Sequence, residues 1–474
     1  MPRNVARELA ECRKGLVVAP AGCGKTHLIA DSVAYCTGRQ LILTHTHAGV
    51  RALIDHLRRR GGDPRSYKVG TIDGFALRYA SAFSQLSGWT EPKPTGNMWN
   101  TLRPAATKTL AASAVKRVLS CSYTGVYVDE YQDCSVGQHD LILGIAQALP
   151  VRVLGDPLQS IFWKINKGDN VVWQDVESEF PLIDNLSVPH RWANHNQDLG
   201  YWLLDVRKRL LAGEAVDLST GPVTWKNEVE HPSQIAACYE VISNKRQSVL
   251  GIHAWGNQCH KLARFLNGIY RSMETVECEA LLEWADKIES ATGAERACLI
   301  VEFTQRCISR LPQAFNKWKA ELSEGTQPRA RREDYRRVLE CLVAVCRTHD
   351  LRLVDNAFDA ISRINEQVVY GRLELWREMR RTLAAHARTP NLTLKECAWH
   401  QRNRARHVGR RVDHRCLATT LLAKGLEFDH AVILNIDELE DAENVYVAMT
   451  RGSRSVTVLS QSPVLQRGLP HFVL

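Results

Sequence analysis

Apolar residues in the first 185 positions fall into short unbroken runs separated by helix-length amphipathic stretches. "GLVVAP" (15–20), "QLILTHT" (40–46), "GVYVDE" (125–130) and "VRVLGD" (151–156) have strand length and almost no polar alternation. Such runs predict strands buried on both faces. Between them, "AGVRALIDHLRRR" (48–60) is amphipathic at helical spacing, and a helix is expected from Thr26 onward. Alternating strands and helices predict a parallel α/β sheet. The pattern loosens from about 186 to 260, where "SVLGIHAW" (248–255) is the clear strand.

From about 260 to 410 the period becomes helical. Leu339, Leu342, Val343 and Cys346 form one stripe, and Leu373, Trp376, Met379 and Leu383 another. "LIVEF" (299–303) is the one strand candidate there. The α/β pattern returns at 416, with "HAVILN" (430–435) and "SVTVLS" (455–460) as strands. The expected fold class is therefore α/β with parallel sheets and a helical insertion.

A chain of 474 residues is too long for one core. No run of about 18 apolar residues occurs, so no transmembrane helix is expected. The first residues carry charges and no apolar core, so no signal peptide is expected and the location reads as cytoplasmic. The 14 cysteines are scattered without a Cys-x-x-Cys pair, which points to reduced thiols rather than a metal cluster. The net charge of +9 tilts weakly toward a polyanionic partner. "HQRNRARHVGRRVDHR" (400–415) holds six arginines and three histidines; it is either a solvated face or a phosphate-contacting strip.

The chemistry is more specific. "APAGCGKT" (19–26) lies between a strand and a helix, the context of a phosphate loop. Gly22, Cys23 and Gly24 would bring backbone amides to phosphate oxygens, Lys25 would reach the outer phosphates, and the Thr26 hydroxyl would bind Mg²⁺. Ala19 stands where the strict pattern has glycine. "VYVDEYQD" (126–133) ends a strand in two carboxylates: Asp129 suits the Mg²⁺ shell and Glu130 a general base. "VLGDPLQS" (153–160) adds Gln159 as a γ-phosphate sensor.

These segments, in this order, resemble the superfamily 1 helicases of the UvrD/Rep/PcrA type. "GDPLQSIFW" (155–163) is similar to that family's GDxxQSIY segment, with Phe162 for tyrosine and no Leu-Pro-Pro continuation. The resemblance implies two RecA-like P-loop NTPase lobes, ATP and Mg²⁺ as cofactors, DNA as partner and 3′→5′ movement. "LTHTHAG" (43–49) resembles the single-strand-binding Thr-x-Thr motif, so Thr44, Thr46 and His47 are implied nucleic-acid contacts. Asp73 and Gly74 replace the family's His-Ser in "VGTIDGFALR" (69–78). In "VPHRW" (188–192), His190 would face the adenine and Arg191 the γ-phosphate. "ENVYVAMTRG" (443–452) supplies Arg451 as a second phosphate-facing arginine. "TTLLAKGLEFDHAVIL" (419–434) supplies Gly425 and Glu427, the latter toward the ribose, and lacks the family's usual histidine. Asn4, 21 residues before Lys25, is the candidate for the adenine-reading amide, and His27 borders the loop. Phe162 and Trp163 either stack on unpaired bases or pack in the core.

The resemblance covers roughly 1–260 and 412–474. It implies a first lobe at 1–185 with a short insertion at about 80–118, a second lobe at 186–260 plus 412–474, and a helical insertion domain at 261–411. Size and layout resemble the short UvrD-like helicase subunit of Gabija-type anti-phage systems, which implies a Toprim/ATPase nuclease subunit as partner. Two alternatives stand beside it: a reduced host DNA-repair helicase, and a DNA-terminus-sensing ATPase that switches a nuclease without processive unwinding.

Overall fold

Strand β1 (Lys14–Val18) lies between β5 (Val151–Gly155) and β6 (Leu182–Asn185) in a parallel sheet. With β2 (Gln40–Thr44), β3 (Tyr67–Thr71) and β4 (Gly125–Val128), the order is β3-β2-β4-β5-β1-β6. This computed structural model describes residues 4–468 except 93, 95–96, 164–167, 243–245, 274–277, 309–310, 327, 365–371 and 409–411. The side chains of 278–279 and 402–408 are also outside the description. Most of the basic strip at 400–415 thus lies outside the described residues.

Side chains alternate across the sheet as strand geometry requires. Leu16, Val18, Leu41, Leu43, Val126, Val128, Val151 and Val153 enter one core. Val17, Ile42, Tyr127 and Leu154 enter the other. Helices cover both faces, which explains why the strands carry no polar alternation. Helices Met98–Ala111 and Ser113–Ser122 supply Leu102, Ala106, Leu110, Val115 and Leu119 to the first core, so this part of the segment read as an insertion packs directly on the sheet. β3 and β6 escape the pattern because they are edge strands with polar residues such as Lys68 and Asp184.

A two-residue strand β7 (Val216–Asp217) precedes the second sheet, which contains β8 (Thr224–Lys226), β9 (Val249–Ile252), β10 (Arg271–Ser272), β11 (Arg415–Ala418), β12 (Phe428–Ile433) and β13 (Gly452–Leu459). Its order is β10-β11-β9-β12-β13-β8. β7 pairs antiparallel with β14 (Val464–Leu465). The expected α/β class with two parallel sheets is what the chain adopts.

The chain divides into two compact units, one of Met1–Glu230, Glu240–Leu250 and Ala423–Leu474, the other of His231–Tyr239 and Gly251–Leu422. In the first, Asp429 accepts hydrogen bonds from the Ser248 amide and hydroxyl, both at 2.9 Å, and from Arg454 Nε at 2.7 Å. Burial opposes its ionisation, but these partners prevail and hold the carboxyl down at about 2. A depressed carboxyl contributes stability above its ordinary value and loses it as pH falls through the folded one. Asp429→Asn is therefore expected to lower the melting temperature at pH 7, with the gap closing between about pH 4 and 2. Thermal melts of both proteins across that range check it.

The second unit is dominated by helices. Phe303, fully buried, packs its ring against those of Trp284, Phe358 and Trp376 at centroid distances of 5.5, 5.4 and 6.0 Å. The strand candidate at 299–303 does not form: those residues lie inside the helix Gly293–Cys307, in keeping with the helical period of the segment. Ala297, Ile300, Val301 and Thr304 fall at i, i+3, i+4 and i+7, and Phe303 and Cys307 widen the buried stripe. A central helix covered on most sides carries an apolar run that mimics a strand. The helix Glu333–Arg347 buries Val338, Leu339, Leu342 and Val345, so its stripe is rotated from the expected one; Val343 and Cys346 are only half-buried. Phe303→Ala is expected to cost about 3–5 kcal/mol, read in a denaturant melt.

Candidate nucleotide site

The glycine-rich loop at 19–24 follows β1 directly, and the helix Lys25–Tyr35 begins without a side-chain cap. Its first-turn amides are thus left for an anion. Gly22 and Gly24 have φ of +72° and +88°. A Cβ on Gly22 would lie 2.5 Å from the Trp192 ring and 2.8 Å from Arg191 Cβ. A Cβ on Gly24 would lie 3.2 Å from His190 Cδ2. Gly22 is therefore required twice, by backbone conformation and by Trp192 and Arg191 lying against the loop, and Gly24 by its backbone conformation. Arg191 N–H also donates to the Gly22 carbonyl at 3.1 Å, and Ala21 N–H donates to the Tyr446 hydroxyl at 3.2 Å.

β4 delivers the carboxylates to the same place. Lys25 Nζ lies 2.6 Å from Glu130 Oε1 and 3.4 Å from Asp129 Oδ1. Burial alone would lower the Lys25 ammonium, but Glu130 and Asp129 hold it above its ordinary value. The two acids respond oppositely. Burial raises Asp129 despite Lys25, whereas Lys25 and Lys424 outweigh burial and keep Glu130 low. Glu130 sits at φ 58°, ψ 42°, a left-handed conformation uncommon for a residue with a side chain. Gln132 Nε2 donates to Glu130 Oε2 at 2.6 Å, and Gln132 Oε1 accepts from the Asp156 amide at 3.1 Å. Asp133, raised to about 6 by burial, is held by Lys424 Nζ at 2.6 and 2.7 Å.

Two arginines come from distant segments. Arg191 Nε bonds Glu427 Oε2 at 2.8 Å, and its terminal nitrogen bonds the Thr450 carbonyl at 2.7 Å. Arg451, only 1% exposed, donates to the Val447 and Leu426 carbonyls at 2.8 and 3.1 Å and to the Thr450 hydroxyl at 2.8 Å. Burial, helped by nearby Arg191, lowers Arg451 to about 9. Its guanidinium is anchored on two main-chain carbonyls and a hydroxyl, with no carboxylate among these partners.

The loop glycines, Lys25, Asp129, Glu130, His190, Arg191 and Glu427 thus converge in one place, with Thr26 in the first helical turn. Cys23 is buried, and burial pushes its thiol up to about 12. Gly425, at φ +78°, turns the chain between Lys424 and Glu427. His27 stands edge-on to His56 at 4.2 Å, and burial lowers both imidazoles.

Other candidates are engaged elsewhere. The Gln159 amide donates to Asp156 Oδ2 at 2.9 Å. Asn4 caps the helix Val5–Glu11, accepting from the Arg7 amide at 3.1 Å and donating to the Tyr35 hydroxyl at 2.9 Å, so both ends of its amide are committed. Thr44 is buried at the end of β2; Thr46 caps the helix His47–Arg59, which His47 opens. Phe162 and Trp163 are half-buried. Asp73 is neutralised by Arg103, whose Nε and terminal nitrogen lie 2.8 and 3.0 Å from its oxygens. Lys424, Trp192 and Tyr446 were not singled out from sequence; Lys424 adjoins Gly425, and that adjacency was the available signal.

The donor set suits a nucleotide and a divalent cation. Loop amides and Lys25 present positive charge, and Asp129, Glu130 and Asp133 gather carboxylates around Lys25 and Lys424. Asp129 beside the Thr26 turn offers hard oxygen ligands of the kind Mg²⁺ takes.

No protein-family model matches the chain, and no curated protein matches it. Among solved structures it is similar to an arterivirus nonstructural protein 10 (helicase) in complex with DNA, at 15% identity and a TM-score of 0.26, covering 53% of this chain and 50% of that one. A second arterivirus nonstructural protein 10 structure gives 14% identity and a TM-score of 0.28, covering 54% and 53%. The chain spans about half the length of the solved chains it matches. At these TM-scores the similarity is too low to carry a function to this chain.

Proposed function

We propose that this chain is an ATP-dependent DNA motor of the UvrD-like type, moving 3′→5′, built on two RecA-like lobes and requiring Mg²⁺. The observation that carries the reading is the Lys25 ammonium held by Glu130 and Asp129 inside a glycine loop that Arg191 borders. Lys25 and Glu130 occupy one another at 2.6 Å. Phosphates bound at the loop would draw Lys25 to themselves and free the Glu130 carboxylate to accept a proton from an attacking water. Arg191 would likewise exchange Glu427 for phosphate oxygens, releasing Glu427 toward the ribose. Thr26 and Asp129 would hold Mg²⁺, which neutralises phosphate charge. His190 offers its ring to the base, and Phe162 and Trp163 offer stacking surfaces to unpaired DNA bases, worth about 1–3 kcal/mol each. The cellular role in the same reading is the motor subunit of an anti-phage system working with a Toprim/ATPase nuclease.

ATP turnover by the purified chain, with and without single-stranded DNA, tests this. Turnover that rises with DNA and stops on chelation of divalent cations supports the motor. Turnover indifferent to DNA refutes it. A second reading, a DNA-terminus sensor that switches a nuclease, is favoured by Leu421 standing three residues before Lys424, where the resembling family has histidine.

A further inference from the structure

Lys424 is 8% exposed at its side chain, and an ammonium has three donors. Two go to the Asp133 oxygens at 2.6 and 2.7 Å, and the third goes to the Gln159 carbonyl. The same nitrogen lies 4.9 Å from the centroid of the Phe162 ring. Lys424 therefore grips two segments at once: the turn ending in Asp133 and the turn that leads from Gln159 to Phe162.

Both segments lead to Glu130. The Asp133 amide donates to the Glu130 carbonyl at 3.0 Å, closing the short helix Tyr131–Asp133 on a Glu130 already in a left-handed conformation. On the other side, Gln159 bonds Asp156 at 2.9 Å, the Asp156 amide bonds Gln132 at 3.1 Å, and Gln132 bonds the Glu130 carboxylate at 2.6 Å. A shift at Phe162 has two short paths to the group that would accept the proton, and Lys424 joins them.

We infer that Lys424 is a positioning residue that couples stacking of a nucleic-acid base on Phe162 to the placement of Glu130. The inference rests on the DNA-stimulated motor proposed above and assigns its stimulation to one side chain. An ion pair kept only for stability makes a different claim. Replacing both partners of a buried pair by neutral groups is often close to neutral for folding, whereas removing one partner strands a buried charge.

The test compares the full chain with Lys424→Met/Asp133→Asn, reading the ratio of ATP turnover at saturating single-stranded oligonucleotide to turnover without it. Melting temperature and oligonucleotide Kd are measured alongside. The double variant is expected to melt within about 3 °C of the parent. It is also expected to bind the oligonucleotide within about threefold, while the ratio falls by about fivefold or more. A ratio kept at the parent value overturns the coupling role. If the double variant does not fold, Phe162→Leu keeps the ion pair and removes the ring. The same fall is expected, and an unchanged ratio overturns the inference. A parent chain with no DNA-stimulated turnover refutes the motor reading itself, and so differs from a stimulated parent matched by its variants.

Discussion

Lys25→Ala is expected to reduce nucleotide turnover by at least about 10²–10³-fold, because in the proposed motor its ammonium stabilises charge on the transferred phosphoryl group. The loop amides and the uncapped helix start remain, so nucleotide binding weakens rather than disappears. The substitution also strands Glu130 and Asp129, whose shared cation is Lys25. Breaking such a pair costs about 3–5 kcal/mol of stability, so a lower melting temperature accompanies the loss. Lys25→Ala/Glu130→Gln separates the effects: it restores part of the melting temperature and none of the turnover. Single-strand binding, measured by anisotropy, is expected to survive in both.

Glu130→Gln is the second large effect. Glu130 is kept ionised against burial by Lys25 and Lys424, which suits a group that must accept a proton at neutral pH. An amide of the same shape has a single acceptor oxygen, so it keeps one of the contacts from Lys25 and Gln132 and loses the other, and it cannot take the proton. Turnover is expected to fall by about 10²–10⁴-fold, with nucleotide affinity equal to or tighter than the parent's. A turnover within tenfold of the parent would assign the base elsewhere.

The first sheet and its loops were legible because their signals are local. β1, β2, β4 and β5 are buried at nearly every position, and the glycine-rich loop after β1 needs glycine at positions 22 and 24 for reasons written in its own backbone. The segment at 188–192 carries no local message; only the structure shows Trp192 and Arg191 lying against Gly22. "LIVEF" misled because a helix covered on most sides loses the polar face by which periodicity identifies it. Asn4 fitted by spacing, yet a short amide beside a helix start meets a nearer demand, the unpaired amides of that helix. Lys424 was invisible as a partner of Asp133 because the two are 291 residues apart and neither forms a motif with the other. Long-range ion pairs leave no period in a sequence.

A motor must convert nucleotide turnover into directed movement on DNA. The most direct measurement is strand displacement with ATP and Mg²⁺ on duplexes carrying either a 3′ or a 5′ single-stranded tail, with Lys25→Ala as control. The expected result is displacement from the 3′-tailed duplex alone, absent in the variant. DNA-stimulated turnover with no displacement from either substrate, or displacement from the 5′-tailed duplex alone, would contradict it.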